Sequence, residues 1–146
     1  KVLASPTERL AAGDSLAILG AARVEQAGGR GAGAYMAGLR GIVLMQTSGF
    51  ATLPTVLASL AVPYQIPLLM LISERGTLGD FQLGQAIVCR TMRPILKSPG
   101  IEHHAITPQE DVEFVVDRMI KQAYATQAAA AVILSPLLTS RDTRKN

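Results

Sequence analysis

GIVLMQTSGFATLPTVLASLAVPYQIPLLMLIS, residues 41–73, sets two short apolar runs on either side of a longer, helix-like segment. The runs GIVLMQ (41–46) and PLLMLIS (67–73) are apolar throughout rather than alternating, and each has the length of a strand. Unbroken apolar strands belong to parallel sheets covered on both faces, because neither row of side chains then meets water. The stretch 48–62 between them reads as the crossover helix that a parallel pair needs. The same alternation extends outward. SLAILGA (15–21) and AAVILS (130–135) read as further buried strands, and EHHAIT (102–107) as a less apolar fifth. Helices are expected over 24–39, 84–97 and 109–127. In the last, Pro108 suits a first turn, Glu110 and Asp111 suit its positive end, and Val112, Val115, Val116, Met119 and Ile120 form one stripe. The expected fold is α/β: a three-layer, doubly wound, mainly parallel sheet with helices on both faces.

The 146 residues are enough for one core and not for two. A single domain is expected over 1–138, followed by a polar tail, 139–146. A lone Cys89 excludes an internal disulfide and a cysteine-cluster metal site, and it fits a reducing, cytoplasmic compartment. It reads as a small buried apolar residue rather than a reactive thiol. The net charge of +3 is scattered, with Arg141, Arg144 and Lys145 in the tail. Nucleic-acid binding calls for a basic stripe with aromatic partners, and neither is present. No apolar run has the ~20 residues of a membrane span. No pair of His and carboxylates has metal-ligand spacing.

In an open α/β sheet the ligand crevice lies at the carboxyl ends of the strands. Three segments meet that edge: Ala22 to Gly29, Thr47-Ser48-Gly49, and Ser73 to Gln82. Gly29-Arg30-Gly31-Ala32-Gly33-Ala34 matches a dinucleotide fingerprint in letters only. Its first glycine would have to sit in the turn right after the strand, and Ala22 to Gly28 intervene. Gly29, Gly33 and their neighbours are better explained as letting a helix lie close on the sheet. Glu25 follows a strand and opens a helix. It is either an acid complementing the helix dipole or a carboxyl group facing the crevice.

Glu25-Gln26-Ala27 leading to Ala34-Tyr35, then Thr47-Ser48-Gly49, Ile66-Pro67-Leu68, Asp80-Phe81-Gln82 and Met92-Arg93-Pro94, resembles the pyrimidine-binding (Pyr) domain of thiamine diphosphate enzymes. The order and spacing carry the likeness from residue 9 to 138. Met45 to Gly49 with Leu71 to Gly76 are most similar to the sulfopyruvate decarboxylase α-subunit and phosphonopyruvate decarboxylase branch. The resemblance implies that Glu25 hydrogen-bonds ring nitrogen N1′ of the cofactor's aminopyrimidine and shares a proton with it. A desolvated carboxyl group, its pKa raised among glycine and aliphatic neighbours, would suit that task. Thr47, Ser48 and Gly49 would lie beside the pyrimidine, Thr47 or Ser48 doubling as a helix cap, and Gln82 would reach the active site. Arg75 would either meet the anionic tail of a substrate or pair with Glu74 or Asp80. His103 and His104 stand away from these segments and suit a surface or partner contact.

Two departures from the family pattern follow. Residues 1–14 are shorter than the family's opening strand and helix, so the N-terminal unit is expected to be incomplete. The Gly-Asp-Gly…Asn segment that holds Mg²⁺ and the diphosphate is missing; Gly79-Asp80-Phe81 is the only nearby string. A diphosphate-binding β subunit or domain is therefore expected as partner, in a homo- or hetero-oligomer. The expected activity is decarboxylation of a small anionic α-keto acid. The alternatives are a carboligating, acetolactate-type subunit and a non-catalytic Pyr-like module that only binds a partner.

Overall fold

The computed structural model describes residues 19–80, 82–107 and 110–138. Four strands, β1 Ile42–Gln46, β2 Leu69–Ser73, β3 Glu102–Ile106 and β4 Ala130–Leu134, form one parallel sheet in the order β1-β2-β4-β3. The helices are α1 Val24–Met36, α2 Thr47–Phe50, α3 Pro54–Val56, α4 Leu83–Lys97 and α5 Val112–Thr126. The register pairs Gln46 with Ser73 and Ser73 with Leu134, so the carboxyl ends of β1, β2 and β4 finish level. That common edge carries the candidate site.

Side-chain alternation along each strand divides the core in two. Val43, Met70, Ile72, Ala131 and Ile133 face Phe50, Leu53, Leu57, Met92 and Leu96. Leu69, Ala130, Val132 and Ile106 face Met119 and Ala123 of α5. Helices thus cover both faces of a parallel sheet, which is the α/β architecture the apolar runs predict.

Several expectations need correction. The 48–62 helix is interrupted at 51–53, which separates α2 from α3, and α3 runs on as a π-helix over Leu57–Ala61. Pro54 is the cause: its ring fixes φ and lacks an N–H, so it restarts a helix as the first residue of α3 instead of continuing one. The strand expected at 15–21 lies outside the described residues up to 18, and Leu19, Gly20 and Ala21 are exposed and form no strand. Strand β1 is not covered on both faces. Ile42 and Leu44 are 47% and 68% exposed, because α5 packs over β2 and β4 and no described element extends that layer to β1. The glycines that bring α1 down onto its neighbours are Gly28 and Gly31, not Gly29 and Gly33. A Cβ at 28 would stand 2.7 Å from Leu53 and one at 31 the same distance from Leu68, whereas 29 and 33 face open space.

Helix α5 shows how the sequence sets a boundary. Asp111 is its N-cap, accepting hydrogen bonds from the amides of Glu113 (2.9 Å) and Phe114 (3.4 Å). Val112 leaves the expected stripe: it stands 46% exposed in the first turn, while Val115, Val116, Met119 and Ile120 pack on the sheet. Pro108, and the tail with Arg141, Arg144 and Lys145, lie outside the described residues. Replacing the cap by Ala is expected to lower stability by about 1 kcal/mol. Urea unfolding of Asp111→Ala checks this, as a lower midpoint at unchanged slope.

Candidate functional site

Strand β1 ends at Gln46 and passes without a loop into α2, while α1 begins beside it. Between them lies a cleft of about 490 Å³, open to solvent and lined by Ala22, Arg23, Val24, Glu25, Met45, Gln46, Ser48, Gly49 and Thr52. Its site at the carboxyl end of β1 is where the sheet topology predicts a ligand crevice. Two of the three expected segments line it. The third approaches through Arg75, whose Nη1 donates to Gln46 Oε1 at 3.4 Å.

Glu25 sits in the first turn of α1, behind an N-cap, Arg23, that offers no side-chain acceptor to the free amides. The Glu25 carboxylate takes that role. Its own backbone N–H, then the Thr52 hydroxyl, and more weakly the Arg23 guanidinium, hold its pKa below the ordinary carboxylate value; partial desolvation opposes them without winning. Thr52 Oγ1 donates to Glu25 Oε2 at 2.9 Å, and Arg23 Nη1 stands 3.7 Å from Oε1. The side chain is 34% exposed. The expected dry niche with a raised pKa is therefore not what the chain by itself builds. One amide and a hydroxyl at a helix start stabilise the anion, and the cleft admits water to it.

The other expected site residues divide. Ser48 and Gly49 line the cleft beside Glu25. Thr47 is fully buried and absent from the lining, and its hydroxyl has no hydrogen-bond partner among the described residues. Neither Thr47 nor Ser48 caps α2, whose N-cap is Gln46 without a side-chain bond. Gln82 precedes α4, exposed and outside the cleft lining. Arg75 pairs with Asp80, Nε to Oδ2 at 2.7 Å. Glu74 instead points inward: it is 6% exposed and paired with Arg93. Beside it Cys89 is buried in the core, and burial, then the Glu74 charge, push its thiol pKa up. His103 and His104 lie on β3 at the far edge of the sheet, and His104 pairs with Glu110. Among the described residues no group of three or more His, Cys, Asp or Glu is arranged to hold a metal ion. No described helix is long and apolar enough to cross a membrane.

Arg23 joins the site from the expected Ala22–Gly29 segment, Met45 and Gln46 from the Met45–Gly49 stretch, and Thr52 from outside every segment that the sequence marks for the site. Thr52 carries no signal of its own. Only the turn after α2 brings it to Glu25, with its amide donating to Gly49 O at 3.1 Å.

The sequence is 35% identical over 112 residues to the sulfopyruvate decarboxylase subunit alpha of Methanothermobacter thermautotrophicus, which covers 77% of this chain and 68% of the relative. The chain belongs to the sulfopyruvate decarboxylase subunit alpha family. The subunit alpha of Methanocaldococcus jannaschii is 30% identical over 125 residues, 86% of this chain and 74% of its own. That of Methanococcus maripaludis is 31% identical over 96 residues, 65% and 58% respectively. No family model matches the chain. Membership accords with the parallel α/β sheet, and it gives the cleft at the end of β1 a chemical context.

Proposed function

We propose that this chain is the pyrimidine-binding subunit of a thiamine diphosphate-dependent decarboxylase acting on a small anionic α-keto acid of the sulfopyruvate or phosphonopyruvate kind. The observation that carries the reading is a carboxylate, Glu25, lining a cleft at the carboxyl edge of a parallel sheet in a chain of this family. The donor set fits an aminopyrimidine. Ala22, Val24, Met45 and Gly49 offer small and apolar wall, and Glu25 offers one charged acceptor able to exchange a proton with a ring nitrogen. When bound, thiamine diphosphate supplies the electron sink that decarboxylation of an α-keto acid requires.

In this reading Glu25 holds and moves the proton at N1′. Ser48 and Gly49 border the ring, with Thr47 beneath them. Gln82 reaches in to the cofactor, and Arg75 serves the substrate side, meeting its anionic tail while Asp80 keeps the guanidinium in orientation. The diphosphate and Mg²⁺ are held by a β subunit or domain whose surface closes the open cleft, removes water from Glu25 and so raises its pKa. Residues 1–138 act as one domain in that assembly.

The test is co-expression with the product of the adjacent reading frame, addition of thiamine diphosphate and Mg²⁺, and measurement of CO₂ released from sulfopyruvate. The expected result is cofactor-dependent release by the pair and none by the single chain. Condensed products, formed with one CO₂ released for each pair of keto acids joined, would make the chain a carboligase subunit. An assembled but inert pair would make it a partner-binding module.

A further inference from the structure

We propose that Thr52 is a positioning residue for Glu25, its one hydroxyl serving both protonation states of that carboxyl group. The inference rests on the reading of Glu25 as the proton-exchanging group. Thr52 Oγ1 stands 2.9 Å from Glu25 Oε2 and 2.9 Å from Gly49 O, two acceptors for a single hydroxyl hydrogen. Gly49 O already receives the Thr52 backbone N–H at 3.1 Å. The hydroxyl can therefore turn to the carboxylate without leaving a bare carbonyl, since a carbonyl has two lone pairs and one is in use.

The two charge states then select two arrangements. With Glu25 ionised, the hydroxyl donates to Oε2, a charge-assisted bond and the stronger of the two choices. With Glu25 protonated on Oε1, the oxygen left for the ring, Oε2 is a neutral acceptor, and the Thr52 hydrogen turns between it and the second lone pair of Gly49 O. Every group stays paired in both, and only a hydroxyl rotation separates them. A carboxyl group that gives up and recovers a proton in each turnover is thereby held in one position through the exchange. Arg23, 3.7 Å away and 74% exposed, cannot do this, because it lies beyond hydrogen-bond distance and, among the described residues, is held by nothing else on the cleft wall. Valine at 52 keeps the shape and removes both bonds. Serine keeps the hydroxyl.

The experiment uses the full chain with ¹³C at glutamate Cδ, the Glu25 signal being assigned by its loss in Glu25→Gln. The titration midpoint of Glu25 is expected to rise in Thr52→Val and to stay at the wild-type position in Thr52→Ser. In the assembled enzyme, Thr52→Val is expected to lower kcat about tenfold with little change in KM, a loss smaller than that of the general acid–base group itself. The acid limb of its pH–rate profile should move with the midpoint, and Thr52→Ser should restore both. An unchanged midpoint in Thr52→Val overturns the proposal, as does a serine variant that behaves like valine. If Glu25→Gln retains full activity, the catalytic reading of Glu25 fails, whereas the midpoint of Thr52→Val still reports whether the hydroxyl governs the carboxyl group. The two failures are thus told apart.

Discussion

Glu25→Gln is expected to reduce thiamine diphosphate-dependent CO₂ release by the assembled enzyme by about 10²- to 10⁴-fold, the range in which a positioned general acid–base group contributes. Glutamine keeps the length and planar end of the side chain, and its amide oxygen can still accept from Thr52. What it loses is the ability to take and return a proton. The carboxylate lines an open cleft and carries no part of either core, so the variant is expected to fold and to melt at most slightly below the wild type, through the lost charge at the helix start. Loss of turnover with the fold retained assigns the effect to chemistry. Activity close to wild type would remove Glu25 from the reaction altogether.

Gly76→Ala is expected to destabilise the chain by about 2–4 kcal/mol, combining the strain of a left-handed Ala with overpacking that cannot relax. Gly76 has φ +73°, in the region that L side chains avoid. A Cβ there would lie 2.6 Å from Ala86 N, 2.8 Å from Gln85 C and 2.9 Å from Ala86 Cα. All three are backbone atoms of α4, so no rotamer change makes room. The damage would also reach the site. Gly76 N–H donates to Asp80 Oδ2 at 3.0 Å, Asp80 holds Arg75, and Arg75 touches Gln46 on the cleft wall. A lower urea midpoint together with changed amide shifts at Gln46 checks both parts.

Acid loosens the same turn by a milder route. The Arg75 side chain, then the Gly76 amide, hold the Asp80 carboxyl pKa below its ordinary value. A depressed native pKa contributes stability that is present above the unfolded value and is lost as pH falls through the native one. The Gly76 amide proton shift should therefore stay constant through neutral pH and move only below the usual carboxylate range.

The four described strands were legible because their signal is local, whereas Leu19 to Ala21, at the end of the apolar run 15–21, form none. A run such as Leu69 to Ser73 states its own burial. The sequence pattern starts α5 too early, at 109, because Glu110 and Asp111 suit a first turn and Asp111 is instead its cap. The break in 48–62 was also written in the chain, at Pro54, though the apolar spacing around it suggested an unbroken helix. Other features depend on neighbours distant in sequence. Whether Leu44 is covered depends on how far α5 reaches. Whether Gly28 or Gly29 meets the other elements depends on the rotation of α1 about its axis. Glu25 was recognisable from its place at a helix start, but its solvation was not, because water is excluded by what lies opposite. Thr52 was invisible for the same reason: a threonine in a turn has no meaning until the turn is folded against a carboxylate.

The distance from the Glu25 carboxylate to ring nitrogen N1′, in a crystal structure of the αβ assembly with thiamine diphosphate bound, tests the central claim most directly. A separation of about 3 Å, a hydrogen bond within the cleft at the end of β1, is the predicted result. An aminopyrimidine ring bound elsewhere, with Glu25 still facing solvent, would contradict it.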